Sequence, residues 1–569
     1  VTSGEDVMQM PKYQDLQYRR PSVDDIRECA LRTRLRLMTS KDISLVDAAL
    51  AEFQHSLSGF YTAEALCNIR FDQNTQDEYF RLEQDFFEEN EPIVSELSSM
   101  VYSVLLHMED IDALKDRFGE MIFRKAQTQK ETINSTVVEL LSLESSLEND
   151  YDQIMAQAQI SFHDKLLNLS MMEPYFESGH REIRKSAQEE AANFFESELD
   201  RFNDIFSRLV ETRTKIAEKL GFENFVALGY KRMERYDYTP EMVASFREMV
   251  CKYIVPMTSE IRRLQKERLG VDALKYYDLP VLFPKGNPKP IIRMEDYPEK
   301  TGEMFSALMG KTPSFFDILR EYGFMDLVSR PSKATGGYCV TLLDYAIPFI
   351  LMNANGTAED VTTLIHESGH AYASLRSADA SPFIECLSPT LETCEIHSTA
   401  LEYLTYPHLE LFFGDRASDV RDLHMTRSLL FIPYGCMVDE FQHEIYASPN
   451  MTHEQRHDTW KRLEEKYQPF LDYDGQSFYA SGAAWVKKGH IFTDPFYYID
   501  YCLAQVVSLQ LWDKSRSNPA EAMRVYDLLC KEGGNSIFLD LLSKSGLESP
   551  FESGVIKRIA YRAAEFLQL

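Results

Sequence analysis

Residues Val361–Ser374 read VTTLIHESGHAYAS and contain the pattern His-Glu-x-x-His. His366 and His370 are four residues apart, so on an α-helix their imidazoles project from one face. Two neutral imidazoles in this arrangement can bind one metal ion, and zinc is the ion expected from such a pair. Glu367, next to the first histidine, is then available as a base that takes a proton from water.

The residues around this pattern predict a buried helix. Apolar side chains recur at spacings of three and four beside the histidine face. They are Val361, Leu364, Ile365, Tyr372 and Leu375. Thr357 and Asp360 form a predicted capping box at the start of the helix, directly after the turn-like pair Asn355-Gly356. The alternative is that two core histidines happen to lie on one helix.

A second match to the same pattern occurs at His453-Glu454-Gln455-Arg456-His457, in the segment MTHEQRHDTWKRLEEKY. Its neighbours are almost all charged, which is typical of a solvated surface helix. Such a helix offers no dry, ordered site for an activated water. We interpret this match as chance and the first one as a metal site.

A catalytic zinc site of this type has three protein ligands and one open position. The segment SPTLETCEIHSTALEYLTYP follows the first pattern and predicts a second helix. Ser388 is its predicted N-cap, Pro389 suits the first helical position, and Pro407 is predicted to end the helix.

One face of this second helix carries Ser388, Glu392, Glu395, Thr399 and Glu402. Buried carboxylates are costly without a partner, and a cation would supply one. We choose Glu395 as the third ligand, with Glu392 or Glu402 orienting a ligand histidine. Spacing alone also leaves Glu392, Glu402 and His397 open as ligands, and a solvent-facing acidic stripe is the alternative.

The run GGYCVTLLDYAIPFILMNANGTAEDVTTLIHESGHAYAS, followed by CEIHSTALEYL, resembles the thimet oligopeptidase and oligoendopeptidase F family of zinc peptidases. The bacterial oligoendopeptidase branch is the most similar, and the resemblance extends from about Pro11 to the C-terminus. It implies that His366, His370 and Glu395 bind zinc and that Glu367 is the catalytic base. Gly369 also matches, and since glycine inside a helix costs about 1 kcal/mol against alanine, it indicates close packing there.

A further segment, GQSFYASGAAWVKKGHIFTDPFYYIDYCLAQVVSLQLW, contains His490 and a group of aromatic residues. From the residues alone, the favoured interpretation is an aromatic core patch. The family resemblance implies instead that a histidine and tyrosines of this segment face the substrate carbonyl. His490 matches the family pattern, and of Tyr497, Tyr498 and Tyr501 the last matches best, because the loop is one residue longer than in that pattern.

The chain has 569 residues, more than one hydrophobic core usually holds, so two or three domains or lobes are expected. Hydrophobic residues make up 44% and charged residues 26%, as in ordinary soluble globular proteins. The formal net charge of −30 argues against a nucleic-acid partner, which would require a basic face.

Nine cysteines are scattered without C-x-x-C pairs, which predicts neither a disulfide framework nor a cysteine zinc site and favours a reducing compartment. The first twenty residues lack the apolar stretch of a secretion signal. No apolar run approaches the roughly eighteen residues of a membrane span. We therefore expect a cytoplasmic protein with no membrane partner.

Periodicity predicts helix after helix from about Ser22 to Lys231, and glycines and prolines predict a loop or lobe connection from about Gly270 to Pro298. Tyr338 to Leu343 and Ala346 to Asn353 are predicted strands, and Pro348 predicts an unpaired edge on the second. Since that strand leads into the histidine helix, its edge is a candidate for binding an extended peptide by β-augmentation.

These observations and the resemblance together predict a mainly α, two-lobed, zincin-type metallopeptidase with a small sheet at the active site and a deep substrate channel. We expect an N-terminal helical lobe over 1–190 and a catalytic domain over 191–569, with one Zn²⁺ per chain. The expected activity is cleavage of internal bonds in short peptides. The alternatives are a helical zinc carboxypeptidase and a non-enzymatic helical scaffold, and the oligomeric state is left open.

Overall fold

The computed structural model describes residues 11–40, 42–108, 111–330, 332–334, 336–378 and 380–569. The helices are α1 (Val23–Thr39), α2 (Ile43–Gln73), α3 (Glu78–Leu105), α4 (Ile111–Phe118), α5 (Met121–Thr132), α6 (Val138–Ala156), α7 (Leu169–Phe176), α8 (Arg181–Ser197), α9 (Leu199–Leu220), α10 (Phe225–Arg232), α11 (Pro240–Tyr253), α12 (Val255–Leu269), α13 (Tyr297–Met309), α14 (Phe315–Tyr322), α15 (Ala358–Ser377), α16 (Leu391–Leu404), α17 (Glu410–Phe413), α18 (Ala417–Ala447), α19 (His453–Tyr467), α20 (Ser477–Ala480), α21 (Gly489–Phe492), α22 (Tyr498–Ser517), α23 (Pro519–Glu532), α24 (Phe538–Lys544) and α25 (Ser553–Leu567). The strands are β1 (Ile160–Phe162), β2 (Lys165–Leu167), β3 (Met325–Val328), β4 (Tyr338–Leu342) and β5 (Ile347–Ala354). The predicted mainly α fold with a small sheet is confirmed.

The chain divides into two compact units, each built from three separate stretches. The first unit comprises Val1–Glu131, Pro290–Gly414 and Lys514–Leu547. The second comprises Thr132–Lys289, Asp415–Asp513 and Glu548–Leu569. The predicted division into an N-terminal lobe over 1–190 and a catalytic domain over 191–569 stays a prediction.

Long amphipathic helices form the N-terminal part of the chain, as their periodicity predicts. In α2 the buried apolar side chains are spaced by three and four, which places them on one face. They include Val46, Leu50, Phe53, Leu57 and Phe60. Asp42 caps this helix by accepting the backbone N–H of Ser44 at 2.9 Å.

A short hairpin of β1 and β2 interrupts the predicted helical stretch. Its turn residues, His163 and Asp164, both have positive φ, the backbone conformation that two-residue hairpin turns require. Ile160 and Phe162 are buried in a small apolar cluster with Met172 of α7. Strands of three residues are too short for periodicity to detect, which is why helix was predicted here.

The three-stranded sheet has the order β3-β5-β4. β5 is its central strand, parallel to β3 and antiparallel to β4. The predicted unpaired edge is therefore limited to residues 347–349, since β3 pairs along the same edge from Ile350 onward, and a peptide could pair with only that short part of β5. Pro348 is tolerated because β3 pairs with β5 only from Ile350 onward, so this part of β5 pairs with β4 alone.

The histidine helix, α15, begins where its capping box predicts. Thr357 is the N-cap, and the Asp360 carboxylate accepts the backbone N–H groups of Asn355 at 2.9 Å, Gly356 at 2.6 Å and Thr357 at 3.2 Å. These bonds satisfy donors that a helix start leaves without partners. They fix the position of α15 directly after β5.

The next helix, α16, begins later than predicted. Its N-cap is Thr390 and its first residue is Leu391, so Ser388 and Pro389 lie outside it. The last helical residue is Leu404, and Pro407 lies in a following 3-10 turn, Tyr406–His408. The helix is therefore shorter than predicted, and 3-10 turns at Ile384–Cys386 and Tyr406–His408 precede and follow it.

The predicted connection from Gly270 to Pro298 is irregular apart from two 3-10 turns and the first residues of α13. Within the described residues, none of the helices is sufficiently long and apolar to cross a membrane. Residues 1–10, half of the stretch in which we expected no secretion signal, lie outside the described part.

Candidate active site and metal centre

Three of the predicted side chains converge in the first unit. The ligand atoms of His366, His370 and Glu395 all lie within 4.8 Å of one another. The two histidines are on α15, with ring centroids 5.0 Å apart, and the glutamate is on α16. Among the described residues this is the group of histidine, cysteine and carboxylate side chains that could hold a metal ion.

The separation of the ligand atoms fits a small tetrahedral cation. His366 Nε2 lies 3.4 Å from Glu395 Oε2. Two ligands at about 2.0–2.1 Å from one zinc ion, at a tetrahedral angle, are about 3.3 Å apart. The donor set, two imidazole nitrogens and one carboxylate oxygen, is also one that zinc uses in catalytic sites.

Glu402 orients the first histidine. His366 Nδ1 lies 2.7 Å from Glu402 Oε1, so the ring donates its Nδ1–H to this carboxylate and keeps the Nε2 lone pair for a metal. Of the two glutamates considered for this role, Glu402 occupies it, whereas Glu392 accepts a hydrogen bond from the Thr390 hydroxyl at 2.7 Å.

The third ligand is held within its own helix. Glu395 is 4% exposed, and Ser398 donates to its Oε2 at 3.3 Å and to its carbonyl at 3.1 Å. His397, which spacing left open as a ligand, is not part of the converging group. Its carbonyl instead accepts the Tyr526 hydroxyl of α23 at 2.9 Å.

The charged groups of the site favour the binding of a cation. Burial opposes protonation of His366, but the carboxylates of Glu395 and Glu402 outweigh it and raise the pKa of this imidazole well above its ordinary value. Burial lowers the pKa of His370 to about 4, so its imidazole is neutral at pH 7. Two carboxylates thus face a pair of imidazoles, and a bound metal ion would supply the positive charge between them.

Glu367 points into the same buried environment. It is 6% exposed, and burial raises its pKa to about 7, with further upward contributions from Glu395 and Glu402 and a downward one from His366. A carboxyl group whose pKa lies near neutrality is suited to both accepting and giving a proton.

Gly369 sets the distance between the two ligand helices. A Cβ at this position would lie 2.5 Å from the His397 carbonyl oxygen and 2.6 Å from Ser398 Cα. The backbones of α15 and α16 are therefore in direct contact there. This contact agrees with the close packing that the sequence predicts at Gly369.

The second His-Glu-x-x-His match lies on the first turns of α19. His453 is exposed, and its Nε2 lies 3.1 Å from the Ser207 hydroxyl of α9. His457 is half-buried, with its ring centroid 6.3 Å from that of Trp485. Neither histidine belongs to the converging ligand group found in the described residues.

His490 and the three tyrosines form a cluster in the second unit. Ring centroids lie 5.8 Å from His490 for Tyr497, 5.1 Å for Tyr498 and 5.8 Å for Tyr501. The Tyr501 hydroxyl is 3.5 Å from His490 Nε2. Tyr498 is buried against Phe431, whereas the other two tyrosines and the histidine are half-buried.

Known sequence families and solved structures match most of the chain. The sequence profile described as peptidase family M3 matches residues 292–561, and that of the peptidase M3 N-terminal domain matches residues 13–133. A solved structure of PZ peptidase A with an inhibitor is 38% identical to the chain. The alignment covers 98% of the chain and 99% of that protein, with a TM-score of 0.94. The chain belongs to peptidase family M3. The family resemblance seen in the sequence is thereby confirmed.

Curated relatives of this M3 peptidase are more distant. An oligoendopeptidase F homolog of Lactococcus lactis is 22% identical over 390 residues, which span 65% of the chain and 61% of the relative. Oligopeptidase PepF of Bacillus subtilis is 22% identical over 477 residues, covering 78% of the chain and 67% of the relative. The predicted enzyme class, a metalloendopeptidase, is confirmed at the level of the family.

Replacing Glu402 by Gln in this M3 peptidase is expected to weaken metal binding by about 10–100-fold, the range typical for partners that orient a metal ligand. The amide keeps the shape of the side chain but removes the charge that His366 Nδ1–H contacts. Zinc affinity measured by competition with a chromophoric chelator tests this. Glu392→Gln on the same helix is the control, and an equal loss in both variants would contradict the assignment.

Two features of the M3 peptidase site could not be read from the sequence. Which glutamate of α16 contacts His366 depends on how the two helices cross, because Glu392 and Glu402 lie at opposite ends of α16. Ser398 was not singled out, although it donates to Glu395. A hydroxyl three residues after a predicted carboxylate ligand is the signal that would have indicated it.

Proposed function

We propose that the chain is a zinc-dependent endopeptidase that hydrolyses internal bonds of short peptides. The observation that carries the proposal is the convergence of His366, His370 and Glu395, with Glu367 buried beside them. Membership of family M3 supports the reaction class, and the names of the relatives, oligoendopeptidase F and oligopeptidase, support short peptides as substrates.

In this proposal His366, His370 and Glu395 hold one Zn²⁺ per chain. When bound, zinc in such a site polarises a carbonyl oxygen and makes water more acidic. The other roles in the reaction belong to side chains of the protein itself. Glu402 keeps the His366 ring in the tautomer that leaves Nε2 free.

Glu367 moves the proton. It takes a proton from the attacking water as the C–O bond forms, and it delivers that proton to the leaving amine as the C–N bond breaks. His490 and Tyr501, in the role that the family resemblance implies, donate hydrogen bonds to the oxyanion that develops on the carbonyl. Tyr497 is a further donor for the substrate, while Tyr498, being buried against Phe431, serves to support the cluster.

We further propose that the protein is cytoplasmic and that it binds neither nucleic acid nor membranes. All nine cysteines lie in the described part of the chain, and none of them forms a disulfide there, which is typical of a protein that works in a reducing compartment. The net charge of −30 disfavours binding to nucleic acid.

Hydrolysis of an internally quenched peptide with both ends blocked tests this function. We expect the zinc-loaded protein to cut it, a chelator to reduce the rate to background, and added zinc to restore it. Mass spectrometry of products from a mixed peptide pool should show cleavage at internal bonds. Cleavage of only those peptides with a free C-terminus would indicate a carboxypeptidase, and no cleavage of any peptide would indicate a scaffold.

A further inference from the structure

Phe496 occupies a strained backbone position between His490 and Tyr501. Its φ is +72°, in the left-handed region that side chains other than glycine rarely adopt. Such positions persist only where the surroundings hold them, and they cluster at functional sites. The residue thus marks the segment that carries the tyrosine cluster as one that the fold forces into a particular shape.

Hydrogen bonds fix the Phe496 backbone from both sides. Its N–H donates to Gln442 Oε1 of α18 at 3.1 Å, and its carbonyl accepts Arg235 Nη2 at 2.5 Å. Its ring packs on Gly229 of α10, where a Cβ would lie 2.5 Å from the ring. The Tyr446 ring lies 5.6 Å away on another side. The strained conformation is therefore held by both backbone and side-chain contacts.

Arg235 binds the same segment at a second point. Its Nη2 also donates to Asp500 Oδ1 at 3.0 Å, and the side chains of both residues are fully buried. Asp500 lies in the first turn of α22, and its own N–H donates to the Tyr497 carbonyl at 2.9 Å. The Arg235 guanidinium thus binds both Phe496, which precedes Tyr497, and Asp500, which precedes Tyr501.

The remaining contacts of this pair also limit its movement. The Arg235 guanidinium lies over the ring of Tyr230 at 4.3 Å, and the Tyr238 hydroxyl donates to Asp500 Oδ1 at 3.1 Å. A buried ion pair is often no more stable than apolar residues of the same volume. What this pair provides beyond stability is orientation, since Arg235 Nη2 binds the Phe496 carbonyl and Asp500 Oδ1 together.

We infer that Arg235 and Asp500 are positioning residues for the hydrolysis: they hold the Phe496–Tyr501 segment so that the hydroxyl of Tyr501 has one fixed place. This inference rests on the proposed function, in which that hydroxyl contacts the substrate carbonyl. Neither side chain touches the reacting atoms, because both are fully buried behind the segment.

Asp500→Asn in the zinc-loaded full chain tests the inference. The amide keeps the shape but weakens the bond to Arg235, and displacement of a reacting group by about 1 Å can cost about 10²-fold in rate. We expect kcat on a quenched peptide to fall by about 10–100-fold. The zinc content should be unchanged, and KM should be nearly unchanged. Arg235→Lys, which replaces the planar guanidinium by a flexible ammonium, should likewise lower kcat and leave KM nearly unchanged.

The matched control is Asp278→Asn. Asp278 is equally buried and is paired with Arg184, also buried, at 2.8 Å in the same unit. This variant should lose thermal stability to a similar degree and keep its kcat. An equal fall of kcat in both aspartate variants would overturn the inference, since the effect would then be general destabilisation.

A double-mutant cycle with Tyr501→Phe separates this inference from the function on which it rests. If Asp500 acts by placing the Tyr501 hydroxyl, adding Asp500→Asn to Tyr501→Phe should lower kcat no further. Additive losses would overturn the inference. Unchanged kcat in Tyr501→Phe alone would remove the proposed role of that tyrosine, whereas a fall in Tyr501→Phe with none in Asp500→Asn would leave the role intact and overturn only the positioning.

Discussion

A Glu367→Gln protein is expected to bind zinc as the unchanged chain does and to hydrolyse peptides at least about 10²–10⁴-fold more slowly, the range that general acid–base catalysis contributes. The amide has nearly the same shape, so the buried position, 6% exposed, is filled as before. It cannot accept the proton that leaves the water. The measurements are metal content by mass spectrometry and kcat on a quenched peptide.

The control for this substitution is Glu359→Gln, in the first turn of the same helix, where the side chain is exposed. It should retain both metal and activity. Substantial activity in Glu367→Gln would eliminate this residue as the base. Loss of zinc in that variant would show instead that the carboxylate helps to hold the metal.

The second large effect is expected from Gly369→Ala. Alanine is the better helix former by about 1 kcal/mol, which would stabilise α15 on its own. The added Cβ, however, would lie 2.5 Å from the His397 carbonyl oxygen and 2.6 Å from Ser398 Cα. Since these are backbone atoms of α16, no side chain can turn away, and the two helices must separate.

This separation acts directly on the metal group, because His370 follows the substituted residue and Glu395 lies on the displaced helix. We expect a net loss of about 1–3 kcal/mol of stability, as overpacking usually costs, and a fall in zinc affinity. Thermal unfolding with and without zinc, and zinc competition, measure the two effects.

Gly554→Ala in α25 provides the comparison, since nothing lies within 4 Å of a Cβ built there. This variant should be as stable as the unchanged chain or slightly more so. A Gly369→Ala protein that behaves in the same way would disprove the contact between the helix backbones.

The metal ligands were predictable because they are encoded locally. Two histidines four residues apart on a capped helix fix their own geometry, and Asp360 and Thr357 signal where that helix begins. Glu395 lies in the converging group, as chosen, although spacing left three rivals; its role as a ligand stays a prediction. The start of α16 was misplaced by two residues because Ser388 and Pro389 carry the usual signals of a helix start without forming one.

The sheet was only partly predictable, since pairing is a non-local property. Tyr338–Leu342 and Ile347–Ala354 were recognised as strands with ends shifted by one residue, but β3 was missed because four residues give little periodicity. Pro348 indicated an edge, yet its strand is central, and only the register shows that β3 does not reach that position. The strained conformation of Phe496 likewise has no sequence signal, because φ is imposed by its neighbours.

The backbone contact at Gly369 also limits how the catalytic centre can move. Helices that touch through main-chain atoms can neither slide past nor rotate about each other without a steric clash. Whatever motion accompanies peptide entry or product release, α15 and α16 must travel together as one rigid body. The side chains of His366, His370 and Glu395 therefore keep their mutual spacing when the two helices move.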